Sequence, residues 1–199
     1  WIRRYSIVQW FISRYVPVDE DHPLDSTSAY GASKIAGEKF CEAFYQMYGL
    51  EYVALRYWNV YGSRSDVQGS VASIIPRWLD RIEKNEPIEI FGNGRQTMDF
   101  IYVTEVARAN ILAATSDVAN DVFNVGSGTE TSANELADRL NELIPVLSPV
   151  RRTDVEVHVH RRCADVRKAS DYLGFESRVP IDEGLRALIK WRRTIRNPI

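Results

Sequence analysis

At 199 residues, 45% apolar and 26% charged, the chain is long enough for one domain or two small ones around a proper core. A formal net charge of −2 offers no basic footprint for nucleic acid, and no run of like charge marks a tail. Cys41 and Cys163 stand far apart without metal-ligand spacing, which argues against a disulfide scaffold or a zinc site and fits a reduced cytosol; no apolar stretch approaches a membrane span.

The opening stretch, residues 1–14, is aromatic and basic with no clear period, and it lacks the apolar core and small-residue site of a signal peptide. Because the first residue is Trp1, the chain is expected to start inside a longer one. Residues 17–23 (PVDEDHP) form an acidic, proline-bracketed loop. Ser26 and Ser28 supply caps for a long helix over 29–48, which Gly49 stops. Residues 51–60 read as a buried strand and 62–69, punctuated by glycine, as a loop. A helix over 73–84, a strand over 88–91 and a turn at 92–94 follow. Next come a strand over 100–103, a helix over 104–115 and a strand over 122–125 that ends in Gly126-Ser127-Gly128. A helix over 133–143, a strand near 155–159 and a helix over 182–193 complete the chain. Alternating strands and helices predict an α/β fold with a largely parallel sheet.

Tyr30 and Lys34 stand four apart at the start of the long helix, so both side chains fall on one face. An ammonium beside a phenol stabilises the phenolate. Bringing a tyrosine from a pKa near 10 to neutrality takes roughly 3 units, or about 4 kcal/mol of differential interaction. The spacing alone arises often by chance; its context gives it weight. Residues 27–39 (TSAYGASKIAGEK) resemble the catalytic helix of extended short-chain dehydrogenases/reductases that act on nucleotide sugars. Four further blocks are similar to that family, in its order: 55–62 (LRYWNVYG), 90–103 (IFGNGRQTMDFIYV), 123–135 (FNVGSGTETSANE), and 165–174 (DVRKASDYLG) followed by 184–192.

The resemblance implies NAD as cofactor, a nucleoside-diphosphate sugar (UDP-linked by expectation) as substrate, and a cytoplasmic homodimer. It implies the rear part of a Rossmann-like parallel sheet from 1–61 and 101–125. A smaller α/β substrate-binding lobe would come from 62–100 and 126–199. Tyr30 would be the acid/base on the sugar hydroxyl, and Lys34 would lower its pKa and hold the nicotinamide ribose. Ser6 lies at the distance of the serine or threonine that shares the hydroxyl proton, although its neighbours depart from the family's small residues and Trp10 stands where a tyrosine usually follows. Asn59 would meet the diphosphate and Phe91 would flank the base. Arg161 or Arg162 would pair with phosphate oxygens; adjacent strand residues face opposite ways, so one of the two serves. Arg56 reads equally well as a structural ion-pair partner.

Two departures stand out. Met98 occupies the position before Asp-Phe where many relatives carry arginine, with Arg95 three residues away. The family's GxxGxxG turn is missing from the sequence, and Gly126-Ser127-Gly128 reads instead as a turn in the substrate lobe. The resemblance implies a parent enzyme that interconverts 4-epimers, and this chain, lacking the cofactor glycines, is expected to be inactive alone. Ile7 and Val8 after Ser6 favour epimerisation over the elimination run by the family's dehydratases and decarboxylases, which carry acidic residues there. An inert fragment is the non-enzymatic alternative. His22, His158 and His160 share no metal spacing and read as surface or strand residues; no metal is expected. The helices over 29–48 and 73–84 carry apolar residues on more than one face, Phe40, Phe44 and Tyr45 among them, which predicts a helical dimer contact.

Overall fold

The computed structural model describes residues 3–8, 13–26, 28–65, 74–144, 150–153 and 161–196, with only the backbone of 3–8 and 196. Strands β1 (Arg3–Val8), β2 (Tyr52–Tyr57) and β6 (Asp121–Val125) form a parallel sheet in the order β1-β2-β6. The second sheet, β3 (Asn59–Tyr61), β5 (Thr97–Tyr102) and β7 (Glu130–Ser132), pairs β5 in parallel with β3 and antiparallel with β7. A third joins β4 (Ile88–Phe91) to β8 (Val150–Thr153). The helices are α1 (Ala29–Tyr48), α2 (Ile74–Glu83), α3 (Val103–Thr115), α4 (Ala133–Leu143), α5 (Arg167–Leu173) and α6 (Ile181–Arg196).

Local chemistry explains several of these boundaries. The Ser28 side chain caps α1 by accepting from the Gly31 N–H, and Gly49 ends it in the left-handed conformation at φ 65°. Ser132 and Glu135 close a reciprocal capping box on α4. In β2 the run Val53–Ala54–Leu55–Arg56 is buried on both faces, as a central parallel strand requires.

Among the described residues two large apolar cores result, beside a small cluster of Val18, Trp58 and Ala164. One gathers Tyr61, Ile75, Trp78, Leu79, Ile88, Phe100, Leu136, Leu140 and Leu185; the other gathers Val53, Leu55, Ile101, Val106, Phe123, Val125 and Phe175. Strand β5 serves both, because its side chains alternate: Phe100 enters the first core and Ile101 the second. Residues 59–61 pair with 100–102, so strand pairing crosses the expected boundary at 101.

Several elements differ from expectation. The stretch 51–60 is two strands, because the Trp58 N–H bonds Val125 O at the end of β6 and the chain then crosses to the second sheet. The aperiodic amino-terminal stretch contains β1, held by its register on β2. Strand β8 is mostly exposed and comes before the expected position; residues 154–160 lie outside the described ones. Strand β7 and helix α5, of 3 and 7 residues, are too short to show a period. The apolar side of α2 is spent on the first core through Ile75, Trp78, Leu79 and Ile82, so this helix does not offer the second apolar face expected of it. Helix α1 does: Phe40, Phe44, Met47 and Tyr48 are exposed. Among the described residues no helix is long and apolar enough to cross a membrane.

Candidate active site

The first turns of α1 hold Tyr30 and Lys34, the two residues expected to carry the chemistry. Tyr30 is half-buried, and the Lys34 ammonium lies 5.2 Å from the centre of its ring. Burial pushes the Tyr30 phenol above its ordinary value, so a phenolate there depends on a neighbouring positive charge. One further turn along the same face is Glu38. It takes the guanidinium of Arg56 from β2 in a two-pronged pair, Nη2 to Oε1 at 2.6 Å and Nε to Oε2 at 3.0 Å, with both side chains buried. Arg56 also donates to the Glu20 carbonyl at 2.8 Å. The ion pair thus fastens the Tyr30 face of the helix to the parallel sheet, and Arg56 has the structural role that its sequence context left open.

The loop before α1 is fastened as firmly. Val18 bridges to the segment around Ala164, donating to Cys163 O and accepting from the Asp165 N–H, each at 2.8 Å. Asn124, fully buried on β6, donates to Val18 O and Asp165 O and accepts from the Trp58 indole. The Asn124 N–H donates to the Glu20 carboxylate at 2.6 Å. His22 is buried, contrary to the surface or strand position expected of it; its Nε2 accepts from the Arg14 N–H and its Nδ1 faces Pro23 O.

A second centre was not foreseen. Asp99 on β5 is fully buried, and its carboxylate accepts from the Ser127 N–H at 2.7 Å, the Ser127 hydroxyl at 2.6 Å, the Gly128 N–H at 3.0 Å and the Ala164 N–H at 3.1 Å. Burial pushes this carboxyl up, while hydrogen bonds from Ser127, Ala164 and Gly128 draw it down. Gly126 lies so close that an added Cβ would fall 2.6 Å from the Asp99 Oδ2. The turn at Gly126-Ser127-Gly128 therefore wraps a carboxylate of its own chain. The available signal was an aspartate inside the apolar run Met-Asp-Phe-Ile, a charge that a buried strand must satisfy.

The remaining expected residues take varied positions. Asn59 opens β3 and donates to Asp99 O at 2.8 Å, which occupies one of its two amide hydrogens. Phe91 ends β4 and is 45% exposed. Arg161 is exposed and holds Glu130 through Nε at 2.9 Å, with a second contact from Nη2; Arg162 is half-buried, and burial lowers its guanidinium pKa. Neither arginine lies in a strand. Met98 packs against the first core. Ser6 pairs with Leu55 in the β1–β2 register, but its side chain, Trp10, His158 and His160 lie outside the described residues. The structure brings Tyr30 together with Lys34, and links Asn59 to the segment just after Arg162 through Asp99. Phe91 has no such link to either pair among the described residues.

A half-buried phenol beside an ammonium, on a helix following a parallel strand, fits the nicotinamide-ribose end of NAD. Among the described residues no group of His, Cys, Asp and Glu is arranged to hold a metal ion.

Residues 13–126 match the sequence profile described as the NAD dependent epimerase/dehydratase family. A protein of Methanocaldococcus jannaschii assigned as a UDP-glucose 4-epimerase is 39% identical over 180 residues, covering 90% of this chain and 58% of its own length. A UDP-N-acetyl-alpha-D-glucosaminuronate decarboxylase of Bacillus cytotoxicus is 30% identical over 190 residues, with 90% and 59% covered. The solved UDP-N-acetylglucosamine 4-epimerase from Methanobrevibacter ruminantium M1, in complex with UDP-N-acetylmuramic acid, matches with a TM-score of 0.90 at 33% identity, over 96% of this chain and 63% of that one. The chain spans about three fifths of the length of these relatives.

Proposed function

Because the chain belongs to the NAD-dependent epimerase/dehydratase family, we propose that its parent enzyme epimerises C4 of a nucleoside-diphosphate sugar, UDP-linked, through a transient keto-sugar. The observation that carries this reading is the Tyr30–Lys34 pair on a helix face anchored to the sheet by Glu38 and Arg56. NAD, when bound, supplies the hydride acceptor and donor. Tyr30, as phenolate, takes the proton of the sugar 4-hydroxyl and returns it after the keto-sugar has turned over. Lys34 stabilises the phenolate and reaches the ribose, and Ser6 shares the hydroxyl proton. Asn59 and Arg162 hold the diphosphate, with Arg161 committed to Glu130, and Phe91 lies along the base. The sheet β1-β2-β6 belongs to the cofactor side and the first apolar core to the sugar-nucleotide side.

The test is to incubate the full-length protein with NAD and UDP-glucose and follow the C4 configuration by NMR. Net formation of the 4-epimer is expected; a dehydrated or decarboxylated product from any UDP-sugar tried, with no epimer, would remove this reading in favour of the family's other chemistries. Lys34→Ala should lose activity with its pH–rate profile displaced to higher pH. The sign follows from burial: the Tyr30 phenol already lies above its ordinary value, and removing the ammonium raises it further, so the base form appears later. A Lys34→Ala profile superimposable on the wild type would separate the lysine from the phenol.

The exposed stripe Phe40, Phe44, Met47 and Tyr48 on α1 is the surface proposed for a homodimer contact, with Phe44 and Tyr48 stacked at 5.9 Å. Light scattering of the full-length protein should give twice the monomer mass, and Phe44→Glu should halve it. A monomeric wild type would refute the contact.

A further inference from the structure

We infer that Asp99 is the positioning residue of the diphosphate site: its buried carboxylate sets the places of Asn59 and Arg162 without touching substrate. The inference rests on the functional reading above. Four donors from two separate segments, Ser127-Gly128 and Ala164, converge on this carboxylate, while the backbone carbonyl of the same residue accepts from the Asn59 amide at 2.8 Å. Ala164 is two residues from Arg162, so the guanidinium hangs from a backbone tied at that point. The tie continues outward. Val18 bridges the same segment on its other side and leads along the chain to the cap of the Tyr30 helix.

No cation pairs with Asp99 among the described ion pairs; backbone and hydroxyl dipoles hold it. Neutral donors of this kind are arranged by the fold and bind a carboxylate well, whereas an amide in its place turns two N–H groups toward other N–H groups. The space is closed on the far side by Gly126, where any larger residue would meet the carboxylate. Asp99 and its ring of donors therefore fix the distance between the strand that carries Asn59 and the segment that carries Arg162.

The experiment uses the full-length protein with Asp99→Asn, with Ser127→Ala, which removes one donor and leaves the aspartate, and with Leu140→Ala as a stability control in the first core. UDP alone is titrated by calorimetry, KM and kcat are measured with UDP-glucose, and amide hydrogen exchange is followed in residues 126–128 and 161–165. Losing a well-aligned hydrogen bond to a charged group costs about ten- to a hundredfold in affinity. Asp99→Asn should weaken UDP binding by about ten- to a hundredfold, raise KM more than it lowers kcat, and speed exchange in both segments. Ser127→Ala should show the same pattern at smaller size. Leu140→Ala should lower the melting temperature and leave UDP affinity unchanged.

If Asp99→Asn does not fold, Ser127→Ala decides the question. Wild-type UDP affinity in the folded variants, or a loss no greater than that of Leu140→Ala at an equal fall in melting temperature, would overturn the inference. A wild type that binds UDP but forms no epimer removes the proposed reaction and leaves the positioning role standing. Unchanged UDP affinity in a variant of an active enzyme does the reverse.

Discussion

Tyr30→Phe in the full-length protein is expected to lower epimer formation by about 10²–10⁴-fold, the usual worth of a positioned acid/base. The substitution keeps the ring and removes the phenolic oxygen, which makes none of the described hydrogen bonds; the ring contact recorded for it is with Lys34. Folding, NAD content and UDP affinity should therefore stay close to the wild type. A tyrosine that only packs predicts the opposite pattern, with the phenylalanine enzyme turning over normally. The measurement is the rate of 4-epimer formation across a pH series, with bound cofactor and thermal unfolding checked on the same samples. Near-normal turnover would sink the assignment of Tyr30, and with it the proposed reaction.

Glu38→Leu is expected to destabilise the protein by about 3–5 kcal/mol, because it leaves the Arg56 guanidinium buried without its carboxylate. The Glu20 carbonyl would remain as a partner but cannot neutralise the charge. The companion variant, Glu38→Leu with Arg56→Met, should recover most of the loss, since an apolar pair of similar volume often replaces a buried ion pair at little cost. Urea unfolding of the three proteins measures both terms. A single variant that loses less than about 1 kcal/mol would mean that water reaches the guanidinium. Because Glu38 shares the helix face of Tyr30, the single variant should also lose turnover before it unfolds, and the double variant should recover part of it.

Several features were legible because they depend on residues close together in the chain. Helix α1 has its expected ends, since a serine cap and a left-handed glycine are local signals. Helix α4 and strand β4 also fall on their expected residues. The pairing of Tyr30 with Lys34 follows from helical spacing alone, and the ordered blocks that resemble the epimerase family are likewise contained in the sequence.

What failed to show was anything that depends on a distant partner. The continuous apolar look of residues 51–60 hid a change of sheet at Trp58, decided by the end of β6. The second apolar face assigned to α2 was its core face, a distinction that hydrophobicity cannot make without knowing what lies opposite. His22, expected as a surface or strand residue, is buried in the loop before α1 with two backbone partners.

By itself, the sequence determined the α/β class, the main helices, the Tyr30–Lys34 face and the membership in the family, all of them carried by short-range periodicity, caps and contiguous motifs. Only the tertiary structure decided that Arg56 serves Glu38, that Arg161 is committed to Glu130, and that Asp99 gathers donors from residues 28, 29 and 65 positions away. The physical reason is the same in each case. A buried charge must find its partners wherever the fold brings them, and the distance along the chain says nothing of where that will be.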